Sequence, residues 1–200
     1  MIKGHKQATR RQILRQAMTA GLAAFSSSYA IGQQRVDADH GRIEPPIDVP
    51  AIPLRCADGA LRNLTELTRG KATAVQLMFA ECTTTCPIQG AIFQRVQGLL
   101  PASARPRTQL LSISIDPEND TPQALREWLQ RFQAGAGWTA AVPKQKDLAA
   151  VQSLFGKGRS DIGNHTTQVQ ILNQRSQLVW SSVELPSAES IVAVLSHVLG

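Results

Sequence analysis

Cys82 and Cys86 are the residues with the most chemistry to offer: two thiols separated by three threonines in the run Cys82-Thr83-Thr84-Thr85-Cys86-Pro87. A compact turn of this length can bring two α-carbons within the roughly 7 Å that a disulfide requires. The same closeness lets two sulfurs chelate one metal ion, and thiolates are soft donors suited to Cu(I), zinc or iron–sulfur chemistry. The pair is therefore a redox couple or two arms of a metal site, and a metal needs further ligands. Of the four histidines, His5 and His40 lie towards the N-terminus and His197 near the C-terminus, while His165 follows a glycine-bearing loop in Asn164-His165-Thr166-Thr167. One imidazole joining two sulfurs moves the choice toward copper. Structural zinc usually closes with four ligands, and the chain has no second Cys-x-x-Cys or paired histidine to supply them.

The third cysteine, Cys56, makes the count odd, which argues against a purely structural disulfide framework in an oxidising compartment. A bridge between Cys82 and Cys86 would close so short a loop that it would add little chain-entropy stabilisation. Cys56 reads as a small apolar residue on a hairpin.

The elements that position the pair are legible on both sides. Ala72–Phe79 is a compact apolar run of strand length ending just before Cys82, and Thr108–Ile115 alternates and is rich in β-branched residues. Between them Pro87 to about Leu100 places Ile88, Ile92, Val96 and Leu99 at helical spacing, with Pro87 in the first turn. This is a βαβ unit with a right-handed crossover. Pro87 disfavours helical geometry at Cys86, so both cysteines are expected on the loop entering the helix, where unpaired N–H groups and the dipole lower a thiol pKa. Leu125, Trp128, Leu129 and Phe132 define a second helix behind Thr121 as N-cap and Pro122. The acidic run Asp116-Pro117-Glu118-Asn119-Asp120 is expected to end a strand and cap that helix, with a direct role of Asp116 or Asp120 near a metal as the alternative.

A short segment, Trp138–Val142, leads to a helix at Gln145–Phe155. Strands at Thr167–Leu172 and Leu178–Val183 flank a turn at 173–176, and a last helix spans Ser187–Leu199. Ile52–Cys56 and Leu61–Leu64 form an N-terminal hairpin. A βαβ half followed by a ββα half is the thioredoxin-like α/β arrangement, and the late hairpin disfavours a flavodoxin-like sheet. In that fold the loop leading to His165 abuts the cysteines, although 79 positions separate it from Cys86.

The 200-residue chain carries a formal charge of +6. Five basic residues (Lys3, Lys6, Arg10, Arg11 and Arg15) lie in the first thirty positions, which hold no acidic residue; the remaining 16 against 15 acidic leave +1. A near-neutral body with scattered basic residues lacks the footprint of a nucleic-acid binder. Residues 1–30 read as an export signal: a basic stretch, a modest apolar run from Ala17 to Phe25, and small residues to Ala30. Thr9-Arg10-Arg11-Gln12-Ile13-Leu14 resembles a twin-arginine (Tat) signature. Cleavage near Ala30 would leave a soluble periplasmic or otherwise exported protein, with an uncleaved amphipathic membrane anchor as the alternative. Residues 31–50 read as a flexible arm and 51–200 as one folded domain.

Taken together, Gly70-Lys71, the strand into Phe79, Cys82-x-x-x-Cys86-Pro87, Ser114-Ile115-Asp116-Pro117-Glu118-x-Asp120-Thr121-Pro122, Trp138-Thr139 and His165 resemble the Sco/SenC family of copper chaperones, over roughly residues 50 to 200. The resemblance implies a thioredoxin-like fold, copper, Cu(I) or Cu(II), held by Cys82, Cys86 and His165, and a role in maturing the dinuclear copper centre of cytochrome c oxidase. It also implies a redox-active Cys82/Cys86 pair, periplasmic thiol reductants as partners and a monomer. Where family members often carry an acidic residue and a proline between the cysteines and Asp before the histidine, this chain has Thr83, Thr84, Thr85 and Asn164. The competing expectation is an enzyme, a thiol–disulfide oxidoreductase reducing the cysteines of a cuproprotein, which needs only Cys82 and Cys86. A peroxiredoxin-like peroxidase is disfavoured, because a close cysteine pair followed by proline is not its single-cysteine site.

Overall fold

The computed structural model describes residues 40–156 and 166–200. The segment expected to be an export leader, the first part of the expected arm and His165 lie outside the described residues. Eight strands within them form one sheet in the order β1-β8-β7-β4-β5-β6-β2-β3. Its centre is β4 (Ala72–Met78) beside β5 (Thr108–Ser114), paired in parallel and buried along their whole length. Continuous burial is what a parallel strand covered on both faces requires, and it explains the unbroken apolar run in β4. Helix α2 (Thr85–Leu99) makes the crossover between them. On the other side of β4, β7 (Val169–Leu172) and β8 (Gln177–Ser181) form an antiparallel hairpin leading to α5 (Ala188–Leu199). The run β8-β7-β4-β5 with α2 and α5 is the thioredoxin-like arrangement.

Two departures from the sequence reading enlarge the sheet. Trp138–Pro143 is a full strand, β6, parallel to β5, which makes α3 (Pro122–Arg131) a second crossover. The hairpin of β2 (Pro53–Cys56) and β3 (Leu61–Asn63) then pairs with β6 and runs into the short helix α1 (Leu64–Thr68). Residues Arg42–Asp48, expected in the flexible arm, form β1, antiparallel to β8 at the other edge. β1 is almost entirely exposed and holds Pro45 and Pro46, so it has no apolar alternation to read. Backbone pairing, with Trp180 Nε1 donating to the His40 carbonyl (2.8 Å) and Gln177 Nε2 to Asp48 (2.9 Å), holds it instead. Prolines are tolerated because an edge strand need not donate on both sides.

The sheet separates two cores. One, beneath α2, α3 and α5, contains Phe93, Trp128, Phe132, Trp138, Ile191 and Leu195; the other packs α1 and α4 (Leu148–Phe155) over Val75, Leu77, Leu111 and Ile113. Cys82 and Cys86 belong to the first core and Cys56 to the second. The face α2 buries also differs from its apolar pattern. Ile88 and Leu99 are exposed, while Cys86, Gln89, Gly90, Phe93 and Val96 are buried. Gln89 and Gly90 contribute nothing to a hydrophobicity count, so the pattern drifts around the helix.

Gly90 shows how tightly that face is packed. A Cβ there would stand 2.4 Å from the Phe132 ring, itself held against Trp128 and Trp138 with ring centroids 4.7 and 6.3 Å away. Overpacking of about 1–3 kcal/mol outweighs the helix preference of alanine, about 1 kcal/mol. Gly90→Ala should thus lower stability by roughly 1–2 kcal/mol, read from the urea midpoint at unchanged m.

Candidate metal centre

The cysteines sit where β4 gives way to α2. After Met78 the chain turns, with the Cys82 N–H donating to the Phe79 carbonyl at 3.2 Å. Cys86 is not on the entering loop: α2 begins at Thr85, so Cys86 and Pro87 lie in its first turn. Pro87 is tolerated there because the first-turn N–H that proline lacks has no intrahelical partner anyway. Thr84 occupies the N-cap without a side-chain capping bond, and the Cys82 sulfur takes that place, accepting the Cys86 backbone N–H at 3.4 Å. Thr84 Oγ1 lies 3.7 Å from the same sulfur. A helix N-terminus presents donors and partial positive charge to an anionic group, so this sulfur is placed to be stabilised as a thiolate.

Both side chains are thiols and nearly inaccessible, Cys82 3% and Cys86 0% exposed. Burial works against the dipole at Cys86. Its pKa is raised, above all because a buried thiolate loses solvation, with the Cys82 sulfur in hydrogen-bonding contact adding to the rise and backbone bonds opposing it. The lowered thiol pKa expected from position alone is therefore not what Cys86 shows. The sign for stability follows. The folded state keeps the Cys86 proton above the ordinary thiol value of 9.0 while the unfolded chain releases it. Stability of the dithiol protein should fall as pH rises past that value, by up to about 1.4 kcal/mol per pH unit. Denaturant midpoints taken across the alkaline range check this, and Cys86→Ala should flatten the slope.

The acidic run holds the cysteine loop from behind. Asp120, 4% exposed, accepts the backbone N–H of Ala80 at 3.0 and 3.2 Å and the Ser114 hydroxyl at 2.6 Å. Ser114 also accepts the Asp116 N–H, Asp116 accepts from the Asn119 amide, and the Asp120 N–H donates to the Asp116 carbonyl. Helix capping falls to Thr121, whose hydroxyl accepts from Ala124 N–H at 3.2 Å, so the aspartates do not share that task. Asp120 instead anchors the backbone two residues before Cys82. Its pKa is raised by burial, which outweighs the Ser114 and Ala80 donors. A carboxylate forty positions downstream that fixes a loop through one backbone N–H leaves no mark in spacing or composition.

The donor set fits a soft cation: two sulfurs in contact, with hydrogen-bond donors turned toward them. Among the described residues no group of three or more His, Cys, Asp or Glu could hold a metal ion. Cys56 is buried across the sheet and is not brought to the pair. Among the described residues no helix is long and apolar enough to cross a membrane.

The SCO1/SenC family model matches residues 57–200. The chain belongs to the SCO1/SenC family. Among relatives, a Stutzerimonas stutzeri protein whose name refers to copper binding is 37% identical over 71 residues, covering 36% of this chain and 35% of that protein. A SCO1 homologue from Bacillus subtilis is 29% identical over 115 residues, covering 58% and 55%. The chain thus spans about a third to a half of the length of these relatives.

Solved structures share the fold. A SCO1/SenC family lipoprotein from Bacillus anthracis superposes with a TM-score of 0.66 at 19% identity, covering 79% of this chain and 99% of that one. Copper-bound ScoI from Bradyrhizobium japonicum gives 0.62 at 18% identity, covering 75% and 98%. BsSco, described as a member of the Sco family of cytochrome c oxidase assembly proteins, gives 0.65 at 18% identity, covering 80% and 97%. Cys82 on the β4–α2 connection and Cys86 in the first turn of α2 are the part of the expected ligand set lying in the described residues.

Proposed function

We propose that this SCO1/SenC protein is an exported metallochaperone that takes copper as cargo on the sulfurs of Cys82 and Cys86 with His165 as third ligand, and delivers it to cytochrome c oxidase or a related cuproprotein. The observation carrying this reading is the pair of buried, mutually contacting thiols at a helix N-terminus. Two soft donors in a water-poor pocket favour Cu(I), and a neutral imidazole would accommodate Cu(II) as well. The copper-bound relative and the oxidase-assembly description of another support the same reading. Loading requires both thiols to lose their protons, so uptake releases protons and weakens in acid. Release follows when a partner offers competing soft ligands and the thiolates regain their protons; exchange with a partner disulfide, which is reduced to two thiols, can then leave the pair as a disulfide that periplasmic thiol reductants reverse. The protein acts as a monomer, soluble once its leader is removed.

Anaerobic titration of the reduced protein with Cu(I) against a chromophoric chelator tests the proposal. One equivalent should bind, and His165→Ala should weaken Cu(II) binding. If the protein were instead a thiol–disulfide oxidoreductase, His165→Ala would leave reduction of a disulfide substrate intact and copper would not compete with the chelator.

A further inference from the structure

Gln89 is one turn beyond Cys86 on the buried face of α2. It is 1% exposed, and neither its amide nitrogen nor its amide oxygen has a hydrogen-bond partner among the described residues. A primary amide offers two donors and two acceptor positions, and burying all of them unspent is costly. A methionine of similar length would fill the same space without that cost, so the amide is explained by a partner that forms in another state of the protein.

The geometry of a helix says where that partner lies. Residues three apart share a face, and long helical side chains tend to lean back toward the N-terminus, so a Gln89 rotamer of that kind brings its amide toward the turn that carries Cys86. The Cys82 sulfur accepts the Cys86 backbone N–H at 3.4 Å and lies 3.7 Å from the Thr84 hydroxyl oxygen, and backbone hydrogen bonds also reach the Cys86 sulfur. Loading with copper turns two neutral thiols into two buried thiolates, and a buried anion next to a metal is where an N–H donor has most effect.

We infer that Gln89 donates an amide N–H to the Cys86 sulfur in the copper-loaded protein, making it a positioning residue that sets how tightly copper is held. The inference rests on the copper reading above. A purely structural alternative is at hand. On the same side of the sheet, Gln76 donates to the Ser112 hydroxyl oxygen at 2.8 Å and Trp138 Nε1 to the same oxygen at 3.0 Å, while the carbonyl oxygen of Gln76 has no partner among the described residues. Were Gln89 a brace for that network, it would stabilise the protein with or without copper.

Gln89→Met separates the two roles because they predict opposite changes. In the reduced protein without copper, the denaturant midpoint should rise, since an unsatisfied amide has been replaced by an apolar side chain. Cu(I) affinity by chelator competition should fall by about 10- to 100-fold. In the Cu(II) form the sulfur-to-copper charge-transfer band should move to lower energy, because a sulfur without its N–H donor gives up charge more readily. Gln89→Glu, which keeps the shape but places a carboxylate beside the thiolates, should lower affinity at least as far. Affinity and band equal to those of the parent would overturn the inference while leaving the copper reading intact. A midpoint that falls together with affinity would overturn it in favour of the structural brace. No copper uptake by the parent would overturn both readings at once.

Discussion

Cys86→Ala should cost two to three decades of copper affinity while leaving the fold in place. Soft-ligand metal sites with four protein ligands bind with about 10–16 kcal/mol, so one ligand is worth roughly 3–4 kcal/mol. The fold should tolerate the change because Cys86 is completely buried among apolar side chains, where a methyl group needs no partner; serine would bury a hydroxyl instead. Cys82→Ala should lose as much affinity and also some stability, since it removes the sulfur that accepts the Cys86 N–H. Cys56→Ala, across the sheet, should leave affinity unchanged. Chelator competition on the three variants, with circular dichroism as the control for folding, reads all of these results.

Asp120→Ala should have the largest effect on stability, about 2–5 kcal/mol, because it strands two buried donors, the Ala80 N–H and the Ser114 hydroxyl. The loosened loop carries Cys82 two residues later, so copper affinity should fall by a further one or two decades. Asp120→Asn should recover most of both losses: its carbonyl can accept from Ala80 and its amide can donate to Ser114 Oγ. The parent and the Asn variant should differ in pH dependence. Burial raises the Asp120 pKa, so the folded state keeps the proton longer than the unfolded chain. The parent then loses stability as pH rises from the ordinary carboxyl value of 3.8 through the raised one, and the Asn variant lacks that slope. Urea midpoints across the acid range test the sign.

The sequence made visible those parts of the fold that apolar burial builds. β4 and β5 are buried on both faces and α3 carries its apolar stripe behind Thr121 and Pro122, so period and capping chemistry named them directly. β1 stayed hidden because it is held by backbone pairing at an edge, and β6 because a six-residue strand between a glycine-rich turn and a short helix gives periodicity little room. The face of α2 was misread because the residues that bury it include a glutamine and a glycine, whose roles are packing against Phe132 and, on our inference, donation to sulfur. At the site, the two cysteines were evident from type and spacing. The anchoring by Asp120 was not, since a single side-chain bond to a backbone N–H forty positions away depends on coordinates rather than pattern. His165 was singled out by the fold and the resemblance together, and it lies outside the described residues.

X-ray absorption at the copper edge of the stoichiometrically loaded protein addresses the central claim most directly, because it counts the sulfur atoms bonded to the metal. The account predicts two sulfurs in the parent and one in Cys86→Ala. A first shell made only of nitrogen and oxygen, or one whose sulfur count is unchanged in Cys86→Ala, would contradict it.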